Sequence, residues 1–464
     1  MPRAALWLYS ALTWAAQPLL RRKLRRRAVA EPGYGQHVAE RFGDYSDSAL
    51  PPDNAANAAN AAPLVWIHAV SLGETRAAAI LLTALRQQLP AMRLLLTHGT
   101  ATGRAEGAKL LQPGDVQVWQ PWDTRAAVAR FLQRFQPRIG LLMETELWPN
   151  LVAGCRVHGV PLALVNARLS DKSQRQAQRL AWLARPAYAA LTAVWAQTEA
   201  DAQRLRHLGA PVQGVFGNLK FDAIPDAAQL AQGRAWRADS PRPVVLLASS
   251  REGEETLWLE SVSNLVSNRP LAQQTQAVLA IKSGVNQAAQ ALGDVQWLIV
   301  PRHPQRFDAV AQLLEAAGLR VARRSQWPEA TAQPEPADVW LGDSLGEMAL
   351  YYGLADAALL GGSFAPLGGQ NLIEAAACAC PVVLGPHTFN FADAAELACA
   401  AGAAQRVPDM AHGISAACTL AHDAPALASA RAAATQFAQA HQGGAAATAQ
   451  AVAAILGILG SDSN

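Results

Sequence analysis

Charge is scarce in this chain: only 16% of its 464 residues are Asp, Glu, Lys or Arg. Half are hydrophobic, which excludes a globally disordered protein and allows two or three domains with large cores. The cysteines, Cys155, Cys378, Cys380, Cys399 and Cys418, are odd in number and include no Cys-x-x-Cys pair. A zinc site therefore lacks a second ligand pair, and small buried hydrophobes in a reducing compartment are the expectation. Two further motifs are missing. No dinucleotide fingerprint opens the α/β series, and no Asp-x-Asp stands at a strand end to bridge a metal to a diphosphate.

What charge there is lies unevenly. The formal net charge is +3, yet residues 21–27 alone hold six positive charges, so the remainder is slightly acidic. A generic polyanion binder is excluded. A nucleic-acid partner is not expected, since the basic run is short, adjoins an apolar segment and lacks interleaved aromatics. The segment before it, residues 4–20, has no charge and carries Trp7, Tyr9 and Trp14; its length sits at the lower limit for spanning a bilayer. No small-x-small cleavage site follows it, which argues against a removed signal peptide. Residues 1–27 are thus expected to form an N-terminal membrane-anchor helix with a basic collar held to anionic lipids, and a helix lying in the interface is the alternative.

Residues 28–62 are expected to be a connector, ending in an Ala- and Asn-rich spacer. From residue 63 apolar runs alternate with helical patterns. Strands are expected at 64–70, 93–97, 116–119, 139–143, 162–165 and 192–196, and then at 244–248, 297–300, 339–341, 355–360 and 381–384. This rhythm predicts an α/β protein of two Rossmann-like lobes with a central cleft. The boundaries expected are 63–224 for the first lobe, 225–243 for a linker and 244–464 for the second lobe with its closing helices. Residues 262–294 are expected to be an inserted surface connection.

The chemistry-bearing residues cluster at strand–helix junctions, where ligands bind in open α/β sheets. Glu74 follows Gly73 at the end of the first strand; it reads either as a first-turn residue matching the helix dipole or as a general base. Glu144 and Glu146, followed by Trp148 and Pro149, end another strand; an N-cap explains one acid but not two. Arg302, after Pro301, suits a phosphate or a structural salt bridge. Ser344 and Glu347 have the spacing of a capping box, leaving the backbone amides of Leu345, Gly346 and Glu347 open to a phosphate. Richest is the run from Gly361 to Phe391. A glycine-rich turn leads into a helix beginning near Asn371, Leu372 and Ile373, with Glu374 in its first turn placed for a ribose diol. Such a unit late in the chain points to a nucleotide-sugar.

With the segments 165–170, 217–222 and 248–255 (Val-Asn-Ala-Arg-Leu-Ser, Gly-Asn-Leu-Lys-Phe-Asp and Ala-Ser-Ser-Arg-Glu-Gly-Glu-Glu), these motifs resemble the bacterial 3-deoxy-D-manno-octulosonic acid (Kdo) transferases, in order, up to about residue 408. The resemblance implies the GT-B glycosyltransferase fold. It also implies transfer of Kdo from CMP-Kdo to the lipid A precursor (lipid IVA), at the cytoplasmic face of the bacterial inner membrane, with inversion and without a metal or other cofactor. By the same resemblance Glu74 is the proton acceptor, and Glu144 and Lys220 stabilise the transition state. Pro301, Arg302, Leu345, Gly346, Glu347, Asn371, Leu372, Ile373 and Glu374 match CMP-binding positions. The rivals are a GT-B enzyme using a UDP-sugar and a non-catalytic membrane-bound sugar-binding protein.

Overall fold

The computed structural model describes residues 3–45, 62–267, 294–327 and 336–457. The chain divides into two compact units: residues 1–222 with 442–464, and residues 223–441. Each holds a seven-stranded parallel sheet.

In unit 1 the strands are β1 (Leu64–His68), β2 (Arg93–His98), β3 (Val116–Trp119), β4 (Ile139–Met143), β5 (Leu162–Ala167), β6 (Ala193–Ala196) and β7 (Val212–Val215), in the order β3-β2-β1-β4-β5-β6-β7. The central strands are apolar throughout and buried on both faces, as a parallel sheet between helices requires. One face packs Trp66, Phe131, Phe135 and Leu151 with the helices α5 (Arg125–Phe135) and α6 (Pro149–Val157). Helix α5 shows why such segments are helical: Thr124 caps it by accepting from the Ala127 amide, and Val128, Phe131, Leu132 and Phe135 recur on one face. The other face packs Ile67, Leu81 and Leu85, the last two on α3 (Leu72–Gln88).

In unit 2 the strands are β8 (Val244–Ser250), β9 (Gln296–Pro301), β10 (Val321–Arg323), β11 (Val339–Leu341), β12 (Ala357–Leu360), β13 (Val382–Leu384) and β14 (Ala404–Arg406), ordered β10-β11-β9-β8-β12-β13-β14. Both sheets reverse their winding once, between β1 and β4 and between β8 and β12. Loops leaving those strand pairs diverge and open a crevice at the carboxyl ends.

Several expectations are corrected. Residues 225–243 are not a linker: Ala227–Asp239 form a helix of unit 2, packed so closely on Met348–Leu354 that a Cβ on Gly233 would stand 2.2 Å from the Leu350 carbonyl oxygen. The last helix, Gly444–Ile455, belongs to unit 1, where Ala445, Ala449 and Val452 join the core beneath α3. Asp222 holds its start, accepting from the amides of Gly443 and Ala445. Residues 262–267 are the end of the helix Glu254–Ser267 rather than of an insertion, and 268–293 lie outside the described residues, as do 46–61 of the expected spacer. Residues 32–45 of the expected connector cover the β3 edge. There the Glu40 carboxylate accepts from the Trp119 amide (2.8 Å) and from Arg104 (2.9 Å), and Tyr34 stacks on Trp119.

The N-terminal segment is two helices, α1 (Arg3–Ala15) and α2 (Gln17–Ala30). No helix among the described residues is long and apolar enough to cross a membrane. One face of α1 rests on unit 1 through Ser10 to Asn150 (2.7 Å) and Tyr9 to Asp123. Trp7, Leu8, Leu12 and Trp14 of α1 are exposed, as is Leu19 of α2.

Gly233→Val should lower the stability of the protein by about 1–3 kcal/mol or more, because its side chain meets helix backbone that cannot move aside. Urea denaturation followed by far-UV circular dichroism measures it.

Candidate active site

Within unit 1 the residues at the winding reversal converge. Ser71 is the N-cap of α3 and Glu74 lies in the first turn, so the two cap each other: the Glu74 amide donates to Ser71 Oγ (3.3 Å) and Ser71 Oγ donates to Glu74 Oε1 (3.1 Å). The Val70 amide donates to Glu74 Oε2 (2.8 Å). These contacts point the carboxyl to the carboxyl end of β1. Burial pushes its pKa up to about 7, opposed by the Val70 amide and reinforced by Glu144 and Glu146. The first-turn reading of Glu74 holds, and the same cap is what aims the acid.

Glu144 follows β4 in a left-handed conformation (φ +57°), unusual for a residue with a side chain. Its amide donates to the Val165 carbonyl (3.0 Å) and its carboxylate faces Arg168 Nε at 3.6 Å. Lys220, on the turn Leu219–Asp222, is largely buried. That lowers its pKa, while the fields of Glu144 and Glu74 oppose the fall. The structure thus brings Glu74, Glu144 and Lys220 into one electrostatic cluster. Asn166 (φ +51°) fastens the lysine's turn, its Oδ1 accepting from the Leu219 amide (3.1 Å). Arg168 and Asn166 lie in a quoted segment, but nothing in the sequence says which carboxylate or turn they meet.

Unit 2 holds the other residues after β9, β11 and β12. Glu254, fully buried after β8, accepts from the amides of Gly362 (2.6 Å), Phe364 (3.1 Å), Ala365 (3.3 Å) and Arg251 (2.9 Å). One carboxylate thereby holds the glycine-rich turn after β12 against the β8 loop. Gly361 is obligatory there: a Cβ would lie 2.2 Å from the Ser249 carbonyl oxygen. Pro301 ends β9, and Arg302 Nε donates to Gln370 Oε1 (3.2 Å), which places the guanidinium beside Asn371. Asn371 caps the helix Leu372–Ala377, accepting from the Ile373 amide (3.2 Å); Leu372 and Ile373 are buried and Glu374 lies in the first turn. The turn at Leu345, Gly346 and Glu347 differs from expectation. The helix starts at Met348, so Glu347 occupies the cap position, and its carboxylate pairs with Arg324 (2.7 Å) and Ser344. Leu345 is exposed and Gly346 is left-handed. Glu254 and Gln370, which build this half, were not singled out as site residues; the acids of segment 248–255 were the available signal.

Glu254→Ala should destabilise the protein by about 3 kcal/mol or more, since several buried amides lose their acceptor. Hydrogen exchange at 362–365 should rise with it.

A profile described as 3-Deoxy-D-manno-octulosonic-acid transferase (kdotransferase) matches residues 36–223. A Bordetella pertussis protein named 3-deoxy-D-manno-octulosonic acid transferase is 50% identical over 355 residues, 75% of this chain and 77% of that one. Its namesake from Haemophilus influenzae is 31% identical over 393 residues, 83% of each chain. Among solved structures, a glycosyltransferase from Rickettsia africae has a similar fold, with a TM-score of 0.52 at 12% identity, covering 87% of this chain and 100% of that one.

Proposed function

The chain belongs to the 3-deoxy-D-manno-octulosonic acid transferase family, and on that premise we propose that it moves Kdo from CMP-Kdo to a hydroxyl of the lipid A precursor. It is a glycosyltransferase of lipopolysaccharide synthesis. The observation that carries the reading is its likeness to the Bordetella transferase over most of both chains; the site geometry supports the chemistry.

The acceptor hydroxyl attacks the anomeric carbon as the bond from that carbon to the CMP phosphate breaks. Glu74 receives the hydroxyl proton as the new bond forms. A carboxyl raised to about 7 is better matched to that proton than an ordinary one, and its two hydrogen bonds keep it aimed. The sugar becomes oxocarbenium-like while the phosphate gains charge. A negative Glu144 and a positive Lys220 are suited to that separation. One displacement inverts the anomeric centre. CMP departs as a phosphate monoester, and no metal is assigned to the step. In unit 2, Arg302 takes phosphate charge and Glu374 the ribose. Pro301, Asn371, Leu372, Ile373 and the turn Leu345, Gly346 and Glu347 frame the nucleotide.

We further place the enzyme on the cytoplasmic face of the inner membrane, with the N-terminal helices on the surface rather than across it. The exposed face of Trp7, Leu8, Leu12, Trp14 and Leu19, next to the basic run of α2, supports contact with anionic lipid.

Glu74→Gln should lower kcat about 10²–10⁴-fold and leave CMP affinity nearly unchanged; wild-type turnover would refute the assignment. In the wild type, kcat/KM should rise with pH through about 7 as Glu74 loses its proton, and this limb should vanish in the variant. The stability sign is opposite. A carboxyl whose folded pKa is raised loses folding stability as pH climbs from its unfolded value of 4.5 to about 7. The variant should therefore melt no lower than the wild type at pH 8. Replacing Trp7, Leu12 and Trp14 by Ser should reduce sedimentation with anionic vesicles several-fold; unchanged sedimentation would remove the surface contact.

A further inference from the structure

In the glycine-rich turn after β12, the amides of Gly362, Phe364 and Ala365 already donate to the buried Glu254 carboxylate. Those three donors are spent, so an anion beside the turn has to be met by side chains. The ends of β8 and β9 supply them. Ser250 stands opposite Pro301 in the ladder, and the Arg302 amide donates to the Ser250 carbonyl (2.9 Å), so Arg251 and Arg302 leave the two strands side by side. His303 follows, and the Arg306 amide donates back to its carbonyl (2.9 Å).

These four basic residues are not equivalent. Arg306 is neutralised, since its guanidinium pairs with Glu255 (2.6 Å), a carboxylate 1% exposed, and donates to the Ser250 carbonyl (3.3 Å). Arg302 Nε is held by Gln370 Oε1 (3.2 Å). Arg251 is fixed at both ends of its stem. Its amide donates to Glu254 Oε2 (2.9 Å), the carboxylate that also holds the turn, and its Nε donates to Glu252 Oε2 (2.9 Å). Its two terminal nitrogens have no hydrogen-bond partner among the described residues. Glu252 compensates little, because its side chain is 55% exposed and water screens the pair. The His303 ring also has no hydrogen-bond partner among the described residues. Burial, then the fields of Arg251 and Arg302, lower its pKa, so the ring stands close to both and is mostly neutral at pH 7, with one N–H to donate.

We propose that Arg251 binds the carboxylate of the transferred sugar through its two terminal nitrogens, with the His303 ring donating beside them, and so selects an acidic sugar over a neutral one. The inference rests on the glycosyl-transfer reading for the identity of the donor. In CMP-Kdo the anomeric carbon carries both the phosphate oxygen and the carboxyl group, which puts two anions on one carbon. A site that takes the phosphate on Arg302 needs a second cation next to it, or the two charges repel without relief. Arg251 stands there, and its open edge matches the two oxygens of a carboxylate in the bidentate manner. A nucleotide bearing a neutral sugar offers nothing to that edge, and the unmet donors are what discriminate.

The test uses the full chain, wild type and Arg251→Gln, which keeps the aliphatic stem. Binding is measured with no acceptor present, by displacement of a fluorescent CMP. The ligands are CMP, CMP-Kdo and a CMP-Kdo analogue with a carboxamide in place of the carboxylate. The wild type should bind the acid about ten-fold or more tightly than the amide, as expected for charge-assisted bonds. Arg251→Gln should bring that ratio toward one and leave CMP affinity unchanged. Arg251→Lys, which keeps the charge but not the paired nitrogens, should retain CMP affinity and lose part of the preference. In turnover, the KM for CMP-Kdo should rise in Arg251→Gln while the acceptor KM stays, a split that a merely structural role of the loop would not produce. Equal binding of acid and amide by the wild type, or a preference that survives in Arg251→Gln, overturns the proposal and leaves Kdo transfer standing. A fall in CMP affinity as large as the fall for CMP-Kdo overturns it in favour of a phosphate contact. A preference for the acid that Arg251→Gln removes upholds the site even where no Kdo reaches an acceptor.

Discussion

Parallel pairing is the constraint on which the rest depends. Seven strands that all run one way present all their carboxyl ends at one edge, and every crossover helix begins there. Each sheet reverses its winding once, so the loops after β1 and β4, and after β8 and β12, part and leave room. Glu74 follows β1, Glu144 follows β4, Glu254 follows β8, and the glycine-rich turn follows β12. The backbone at these ends is bent hard: Glu144, Asn166 and Ser249 are left-handed although each has a side chain.

The edge is also where charge is withheld from water without full compensation. Glu74 keeps two local hydrogen bonds, but burial and two nearby acids keep its carboxyl raised. Lys220 is buried near acids that do not restore its ordinary pKa. Arg41 is buried with no ion-pair partner among the described residues. Buried groups perturbed in this way at strand ends mark a candidate functional site. Glu254 is the contrast: equally buried, it receives four amides and acts as the brace that holds the glycine-rich turn against the β8 loop.

Much of this was legible. Apolar runs at 116–119, 139–143 and 339–341 are strands with those same bounds. The missed strands, β7, β10 and β14, are all at or next to sheet edges, short and only partly buried, so hydrophobic period says little about them. The polar composition of 225–243 suggested a linker because its helix buries only Gly233, through close backbone approach, and one large side chain, Trp236. Similarly Ser344 and Glu347 have capping-box spacing and do bond each other, but Glu347 also pairs with Arg324 and the helix begins after it.

The sequence by itself determined the alternation of strand and helix, and hence the sheet class and the junctions where Glu74, Arg302 and Glu374 must lie, because period and turn chemistry are local properties. Tertiary structure alone decided that residues 444–455 close unit 1, that Lys220 enters the field of Glu74 and Glu144, and that Arg41 is buried with no ion-pair partner among the described residues. Those outcomes depend on which surfaces meet across long stretches of chain, and on how much water each charge loses when they do.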